Sequence, residues 1–147
     1  MGRILAIDYG KRRTGIAVTD AMQMIANPLT TVETPSLFDF IKNYVETEEV
    51  DCIIVGKPLQ TNGEASENMK RVEPFFNRLR KLYPSITIEY YDERFTSVLA
   101  HRVMIDSGIG KKARQDKALV DKISASIILG DYLESRRIRQ ASVPENQ

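Results

Sequence analysis

The chain has 147 residues, 42% of them hydrophobic and 28% charged, with a net charge of +1. This is the composition of a globular protein long enough to bury a core without disulfide or metal staples. No apolar run approaches the roughly 20 residues that a membrane span needs, and the N-terminal MGRILAID lacks the form of a signal peptide. With Cys52 as the one cysteine, we expect a cytoplasmic protein with a single domain over 1–138 and a polar tail over 139–147.

The first third of the chain predicts three strands in a meander. Residues 3–8 are apolar on both faces, which is typical of a central strand covered on both sides. The turn-rich DYGKRRTG separates this strand from a second one over 15–19, close enough to pair with it antiparallel. A third strand is expected around 29–32, after the Asn27-Pro28 turn signal.

The rest of the chain alternates helices and strands. Apolar spacing predicts helices over about 37–45, 69–83, 97–106 and 115–137. Ser36, or Thr34 followed by Pro35, is the expected N-cap of the first of these helices. Buried β-runs predict strands over 50–56 and 86–94, parallel to the first strand through right-handed crossovers. The predicted fold is therefore α/β, with a mixed sheet of antiparallel meander plus parallel strands flanked by helices.

Two acids stand at the ends of predicted parallel strands. Asp8 ends the first strand and is followed by Gly10 and the cations Lys11, Arg12 and Arg13. Glu93 ends the strand that begins near Ile86. Functional groups collect at the carboxyl ends of parallel strands, so the two side chains are expected to converge. The alternative for Glu93 is an exposed turn pair with Arg94.

A third acid, Asp121, lies within an apolar stripe of the last predicted helix. Its neighbours on that face are Ala118, Ala125, Ile128 and Tyr132. The small alanines would let the helix approach the protein body closely, and a buried carboxylate needs a cation. The alternative is that Asp121 lies at the edge of the stripe and pairs with Lys117, one turn earlier.

Three carboxylates without a His/Cys cluster are hard oxygen ligands that suit Mg²⁺ or Mn²⁺. Such a set can serve phosphodiester cleavage, with basic residues beside it to meet the phosphates. The candidates for nucleic-acid contact are Lys11, Arg12, Arg13, Lys57, Arg94, Thr96, Lys111, Lys112 and Arg114. Since His101 reads as an exposed helical residue and Cys52 as core, a Ser/His/Asp or Cys/His mechanism is disfavoured.

At these residues the sequence resembles the YqgF (RuvX) family, whose members are described as Holliday junction resolvases and as nucleases that mature the ends of 16S rRNA precursors. Four blocks in the family's order, covering nearly the whole chain, carry the resemblance: AIDYGKRRTGIAVTD, IIVGKPLQTNGEAS, DERFTS and DKALVDKISASIILGDYLES. The resemblance implies a ribonuclease H-like fold with a five-stranded sheet. It also implies a metal-dependent nuclease site at Asp8, Glu93 and Asp121. Only three acids map onto the family pattern, which favours a one-ion over a two-ion site.

The implied partner is structured nucleic acid. Processing of precursor 16S rRNA in ribosome biogenesis is the first interpretation, and resolution of Holliday junctions in branched DNA is the alternative. A resolvase that cuts two strands symmetrically would dimerise, whereas an RNA processing nuclease need not. We therefore expect a monomer or a weak homodimer.

Two further classes stay open on sequence alone. The Asp-x-Gly turn after the first strand also resembles the phosphate loop of sugar kinases and actin-like ATPases, although the chain is too short for the two related domains of those proteins. Ribonuclease H-like domains also occur as noncatalytic nucleic-acid-binding modules, and the complete set of three acids argues against that class here.

Overall fold

A computed structural model describes residues 2–57, 67–92 and 117–141, with side chains described over 119–139 of the last range. Its elements are β1 (Arg3–Asp8), β2 (Arg13–Thr19), β3 (Ala26–Glu33), α1 (Leu37–Thr47), β4 (Val50–Lys57), α2 (Met69–Leu82), β5 (Thr87–Asp92) and α3 (Lys117–Ala141). The predicted helix over 97–106 lies outside the described residues. Helix α3 continues to Ala141, four residues beyond its predicted end and into the segment expected to be a polar tail.

The five strands form one mixed sheet in the order β3-β2-β1-β4-β5. The pairs β1–β2 and β2–β3 are antiparallel, and β1–β4 and β4–β5 are parallel. This is the predicted meander plus parallel strands, with β1 at the centre. The fold is therefore α/β and ribonuclease H-like.

Alternation along the strands divides the core into two layers. Leu5 and Ile7 of β1 face helices α1 and α2, together with Ile53 and Val55 of β4. Ile4 and Ala6 face the opposite way, against α3. On that second face α3 contributes a run of buried residues at helical spacing: Ser124, Ala125, Ile128, Leu129 and Leu133. The β1 strand is thus covered on both sides, as its two apolar faces predict.

Helix α1 begins after Ser36, one of the two predicted N-cap residues. A 3₁₀ turn, Thr34–Ser36, precedes it and contains Pro35, and Ser36 makes no side-chain capping hydrogen bond. The Thr34 hydroxyl donates instead to the carbonyl of Gly10, 2.6 Å away. A residue expected to cap a helix therefore serves the turn after β1.

The C-terminal half of α3 is fastened to the β2–β3 turn by arginines. Arg136 donates to the side-chain and backbone oxygens of Gln23, and Arg137 donates to the carbonyl of Met24 at 2.6 Å. Gln23 has a left-handed backbone with φ of 59°, in a turn whose amides donate to Asp20. This basic cluster thus has a structural role in docking α3 to the sheet.

Within the described ranges, no helix has the length and apolar character to cross a bilayer.

Cys52 lies in the core, as predicted, with 8% of its surface exposed. Burial raises the pKa of its thiol to about 12, so at pH 8 the reactive thiolate is on the order of 10⁻⁴ of the population. We expect a disulfide reagent such as DTNB to modify the native protein at least about 100-fold more slowly than a free cysteine. The same reagent should react at the ordinary rate in guanidinium chloride. Rapid stoichiometric labelling of the folded protein would contradict this placement of Cys52.

Candidate functional site

The carboxyl ends of the three parallel strands meet at one edge of the sheet. Asp8, Lys57 and Asp92 are the last residues of β1, β4 and β5. The three strand ends lie nearly level in the sheet, because Ile7 pairs with Val55 and Lys57 pairs with Asp92. This edge is where α/β sheets generally place ligands, and Asp8 stands there on the central strand.

Gly15 brings Asp8 and Asp121 to one place. In the β1–β2 ladder Gly15 pairs directly with Asp8. A Cβ atom on Gly15 would overlap the backbone carbonyl of Asp121 and lie 2.9 Å from the amide nitrogen of Lys122. Helix α3 therefore passes Gly15 at backbone contact, which strand glycines permit. Alternation also places Asp8 on the face of Ile4 and Ala6, the face that α3 covers.

Asp121 pairs with a cation on the neighbouring strand. The Nε atom of Arg13 donates to Oδ2 of Asp121 at 3.1 Å. The side chains of Arg13 and Asp121 are 37% and 27% exposed, so the pair is half-buried and open to solvent. The partner of Asp121 is thus on β2, and the carboxylate lies at the edge of the apolar stripe, above the fully buried Ala125.

A basic cavity of about 330 Å³ opens at this ion pair. Its lining consists of Gly10, Lys11, Arg12, Arg13 and Asp121. Lys11 and Arg12 are exposed, whereas Arg13 is half-buried. The cavity therefore joins a carboxylate to three cations, which is an arrangement able to receive a phosphate group next to an anionic centre.

The turn that carries Lys11 and Arg12 is held in place by hydrogen bonds to its backbone carbonyls. The Thr34 hydroxyl donates to the carbonyl of Gly10, and the Thr34 amide donates to that of Arg12 at 2.9 Å. From the other side, Asn68 Nδ2 donates to the carbonyl of Tyr9 at 2.8 Å. The exposed cations thus project from an ordered turn, which lowers the conformational entropy cost of binding a ligand.

Lys57 lies at the same edge but on the opposite face of the sheet. Its ammonium group is 5.7 Å from the centre of the Tyr90 ring, and that ring stacks on Phe76 of α2 at 3.8 Å. The structure therefore places Lys57 over the α1 and α2 layer, away from the cavity at Asp121. Its predicted contact with nucleic acid would have to be made from that side.

Several predicted site residues lie outside the described residues: Glu93, Arg94, Thr96, Lys111, Lys112 and Arg114. Glu93 follows directly on Asp92, the last residue of β5. Among the residues that the structure describes, no three His, Cys, Asp or Glu side chains form a cluster able to hold a metal ion. Asp8 and Asp121 supply two carboxylates on one face, the hard oxygen donors that Mg²⁺ or Mn²⁺ prefers. The described donors thus fit part of such a site.

Three residues position the site through contacts that the sequence did not predict. Gly15 admits the α3 backbone, and Thr34 and Asn68 anchor the basic turn. A glycine inside a strand is a signal of close backbone approach, so Gly15 could have been found. Thr34 and Asn68 are polar residues in turn regions, and nothing in their spacing points to the carbonyls that they bind.

The fold and the site together define a class of protein: a ribonuclease H-like α/β domain with acids at the carboxyl edge of its central strand and on the helix that crosses it. Residues 2–135 match the model of the RuvX family, described as Holliday junction resolvase. The chain belongs to the RuvX family.

Similar proteins are known in bacteria. A protein of Phocaeicola vulgatus is 64% identical over 137 residues, spanning 93% of this chain and 99% of its own. One of Bacteroides fragilis is 62% identical over 138 residues, spanning 94% of this chain and 100% of its own. Both bear the name "Putative pre-16S rRNA nuclease". Among solved structures, Archaeoglobus fulgidus Pelota matches 95% of this chain and 38% of its own at 14% identity, with a TM-score of 0.42, too weak a similarity to support an argument.

The contact at Gly15 predicts the effect of adding one methyl group. Gly15→Ala should lower the free energy of unfolding by about 2–3 kcal/mol, because α3 must move away from β2 to admit the new Cβ. Urea unfolding followed by circular dichroism measures this. The matched control is Gly130→Ala in α3, where a Cβ would meet nothing within 4 Å and should stabilise the helix by about 0.5–1 kcal/mol. Equal effects of the two variants would contradict the close approach.

Proposed function

We propose that this protein is a divalent-metal-dependent nuclease that processes the ends of precursor 16S rRNA. The observation that carries the proposal is that Asp8 and Asp121 both adjoin Gly15, with Asp121 also lining the basic cavity. Membership of the RuvX family and the names of the relatives support nuclease chemistry and this substrate. Metal dependence is supported by the donor chemistry of the carboxylates.

Asp8 and Asp121 would hold the metal ion in this proposal, with Glu93 as the third ligand. A bound Mg²⁺ or Mn²⁺ supplies the charge that activates water and stabilises the leaving oxygen of a phosphodiester. Lys11 and Arg12 would bind the phosphates beside the scissile bond, because both side chains are exposed at the rim of the cavity. Their backbone is fixed by Thr34 and Asn68, so little ordering is left for the bound state.

Arg13 has a separate part in this arrangement. Its guanidinium is bonded to Oδ2 of Asp121, which orients the carboxylate from the β2 side. It also leaves further N–H donors able to reach a phosphate in the same cavity. We assign Arg13 to positioning Asp121 and to neutralising charge as the substrate phosphate approaches.

Resolution of four-way DNA junctions is the second candidate function, and the description of the matching family favours it. Phosphate contacts do not distinguish RNA from DNA. Symmetric cutting of a junction requires two copies of the site. A dimer on branched DNA would therefore accompany this function.

The first test is cleavage of a labelled precursor 16S RNA fragment and a four-way DNA junction. With Mn²⁺ we expect the RNA to be cut, and EDTA should abolish cutting. Asp8→Asn and Asp121→Asn should each slow cutting by about 100-fold or more, since each removes a charge that holds the metal. Melting temperatures within a few degrees of the wild type would show that both variants fold. Undiminished cutting by Asp8→Asn would overturn the mechanism, and cutting of the junction alone would establish the second function.

The variant Arg13→Gln distinguishes a role of Arg13 in positioning Asp121 from a role in stabilising the fold. The ion pair is about one-third exposed, so its removal should cost no more than about 1 kcal/mol of folding free energy. Cleavage should fall by roughly tenfold or more, because a misoriented carboxylate and a missing phosphate donor both act in the transition state. Chemical denaturation and single-turnover kinetics give the two quantities. A variant with wild-type cleavage would remove Arg13 from the site.

A further inference from the structure

Helix α2 has one buried face and one strongly basic face. Its buried residues are Met69, Val72, Phe75, Phe76 and Leu79. The remaining positions are exposed and contain five basic residues, Lys70, Arg71, Arg78, Arg80 and Lys81, against a single acid, Glu73. For a chain whose net charge is only +1, this helix is a strong local concentration of positive charge.

The basic residues extend around the whole exposed side, and part of them lies directly opposite the core. At 100° per residue, Lys70, Asn77 and Lys81 lie on one line directly opposite the core. Arg71 and Arg78 lie about 80–100° to one side of Lys70, and Glu73 and Arg80 lie about 60–80° to the other. Along the axis, Lys70 and Lys81 are about 16 Å apart. The outer face of α2 is thus a basic ridge, defined here as Lys70, Arg71, Asn77 and Lys81.

Helix stability does not explain the cations at the start of the ridge. Lys70 and Arg71 occupy the first turn of α2, which has no acidic residue. A cation there opposes the helix dipole and is unfavourable for the helix. Lys70 has an ion pair with Glu67 at 3.6 Å, but both side chains are about 80% exposed and such a pair contributes little. These two cations therefore lower the stability of the helix, and a role in binding would explain their presence.

The far end of the ridge opens into a groove without acids. The groove lies between α2 and the start of β5 and has a volume of about 730 Å³. Arg80, Lys81, Asn77, Ser85 and Thr87 supply its polar lining. All five are exposed donors of hydrogen bonds, a set suited to phosphate oxygens.

The N-terminal end of α2 contacts the basic turn of the candidate site. Asn68, the residue before α2, donates to the carbonyl of Tyr9 in the turn that follows Asp8. The rings of Tyr9 and Phe75 also pack with centres 4.8 Å apart. Helix α2 is therefore fixed to the basic turn and leads away from it across the face opposite to α3.

We propose that the ridge and its groove bind the phosphates of a double-helical arm of the RNA substrate, beyond the cleavage site. This inference rests on the proposed function and extends it to a substrate with a helical arm. The ridge is about 16 Å long, which is enough to contact several phosphates of a duplex backbone. Leu82 is the large apolar residue exposed beside it, and charged surfaces of this kind attract polyanions more than apolar protein partners.

The test measures RNA binding as a function of salt concentration in an Asp8→Asn background, which keeps the RNA intact. The probe is a labelled hairpin fragment of precursor 16S RNA, with a single strand of the same composition for comparison. Lys70→Gln/Arg71→Gln and Lys81→Gln are the test variants. Lys42→Gln is the matched control, because it removes one exposed lysine from α1, where Asp39 and Glu46 share its surface.

Removal of one phosphate contact should flatten the slope of log K against log salt by about 0.7–0.9. We expect the slope to flatten by about 1.5 for the double variant and about 0.8 for Lys81→Gln, with a smaller change on the single strand. The control should change the slope by less than about 0.3. The double variant should also melt at or above the wild-type temperature, since it relieves the first turn of α2. Weaker binding with unreduced stability is a result that a structural role would not give.

Both test variants could show the same salt slope as the control while the wild type still cleaves RNA with Mn²⁺. That result would overturn the proposed RNA binding by the ridge and leave the nuclease proposal standing. Changed slopes with no RNA cleavage under any metal condition would overturn the nuclease proposal and leave the ridge standing. An effect confined to a four-way DNA junction, absent from the RNA hairpin, would overturn RNA as the ligand.

Discussion

The candidate site depends on the contact between the backbone of α3 and Gly15 of β2. Because Gly15 has no side chain, the carbonyl of Asp121 occupies the space where a Cβ would stand. Gly15 is also the antiparallel partner of Asp8. One missing methyl group thus sets the distance between the helix and the sheet, and with it the position of one acid relative to the other. The buried α3 residues Ala125 and Ile128 hold the helix down behind this contact.

The candidate site places cations next to one of its acids. Asp121 is bonded to Arg13, and the exposed Lys11 and Arg12 project from a turn whose carbonyls are held by Thr34 and Asn68. The turn therefore presents its cations from a fixed backbone. Since Asn68 also starts α2, the same hydrogen bond connects the basic turn to the basic ridge on the other face of the sheet.

Most of the fold could be predicted from local patterns. The two apolar faces of β1 indicated a central strand, and the helical spacing of Met69, Val72 and Phe76 indicated α2; both are confirmed. Boundaries were harder. Strand β2 begins at Arg13, which pairs with Glu33 of β3, rather than at Gly15, and α3 continues to Ala141, past its predicted end at Arg137. Such ends are decided by contacts distant in sequence, which a local pattern does not contain.

Periodicity predicted the order of strands along the chain, and the four blocks that resemble the RuvX family predicted the family; both are confirmed. The assignment of Asp8, Glu93 and Asp121 to a metal site stays a prediction. Three features of the site required the folded molecule: the pairing of Asp121 with Arg13, the bond from Thr34 to the turn after β1, and the orientation of Lys57 away from the cavity. Each of these depends on which side of the sheet a residue occupies and on which distant segment lies there. The packing of α3 on one face of the sheet and of α1 and α2 on the other fixes the side that each residue occupies and the segment that it meets. This packing joins distant parts of the chain, so no single stretch of sequence predicts it.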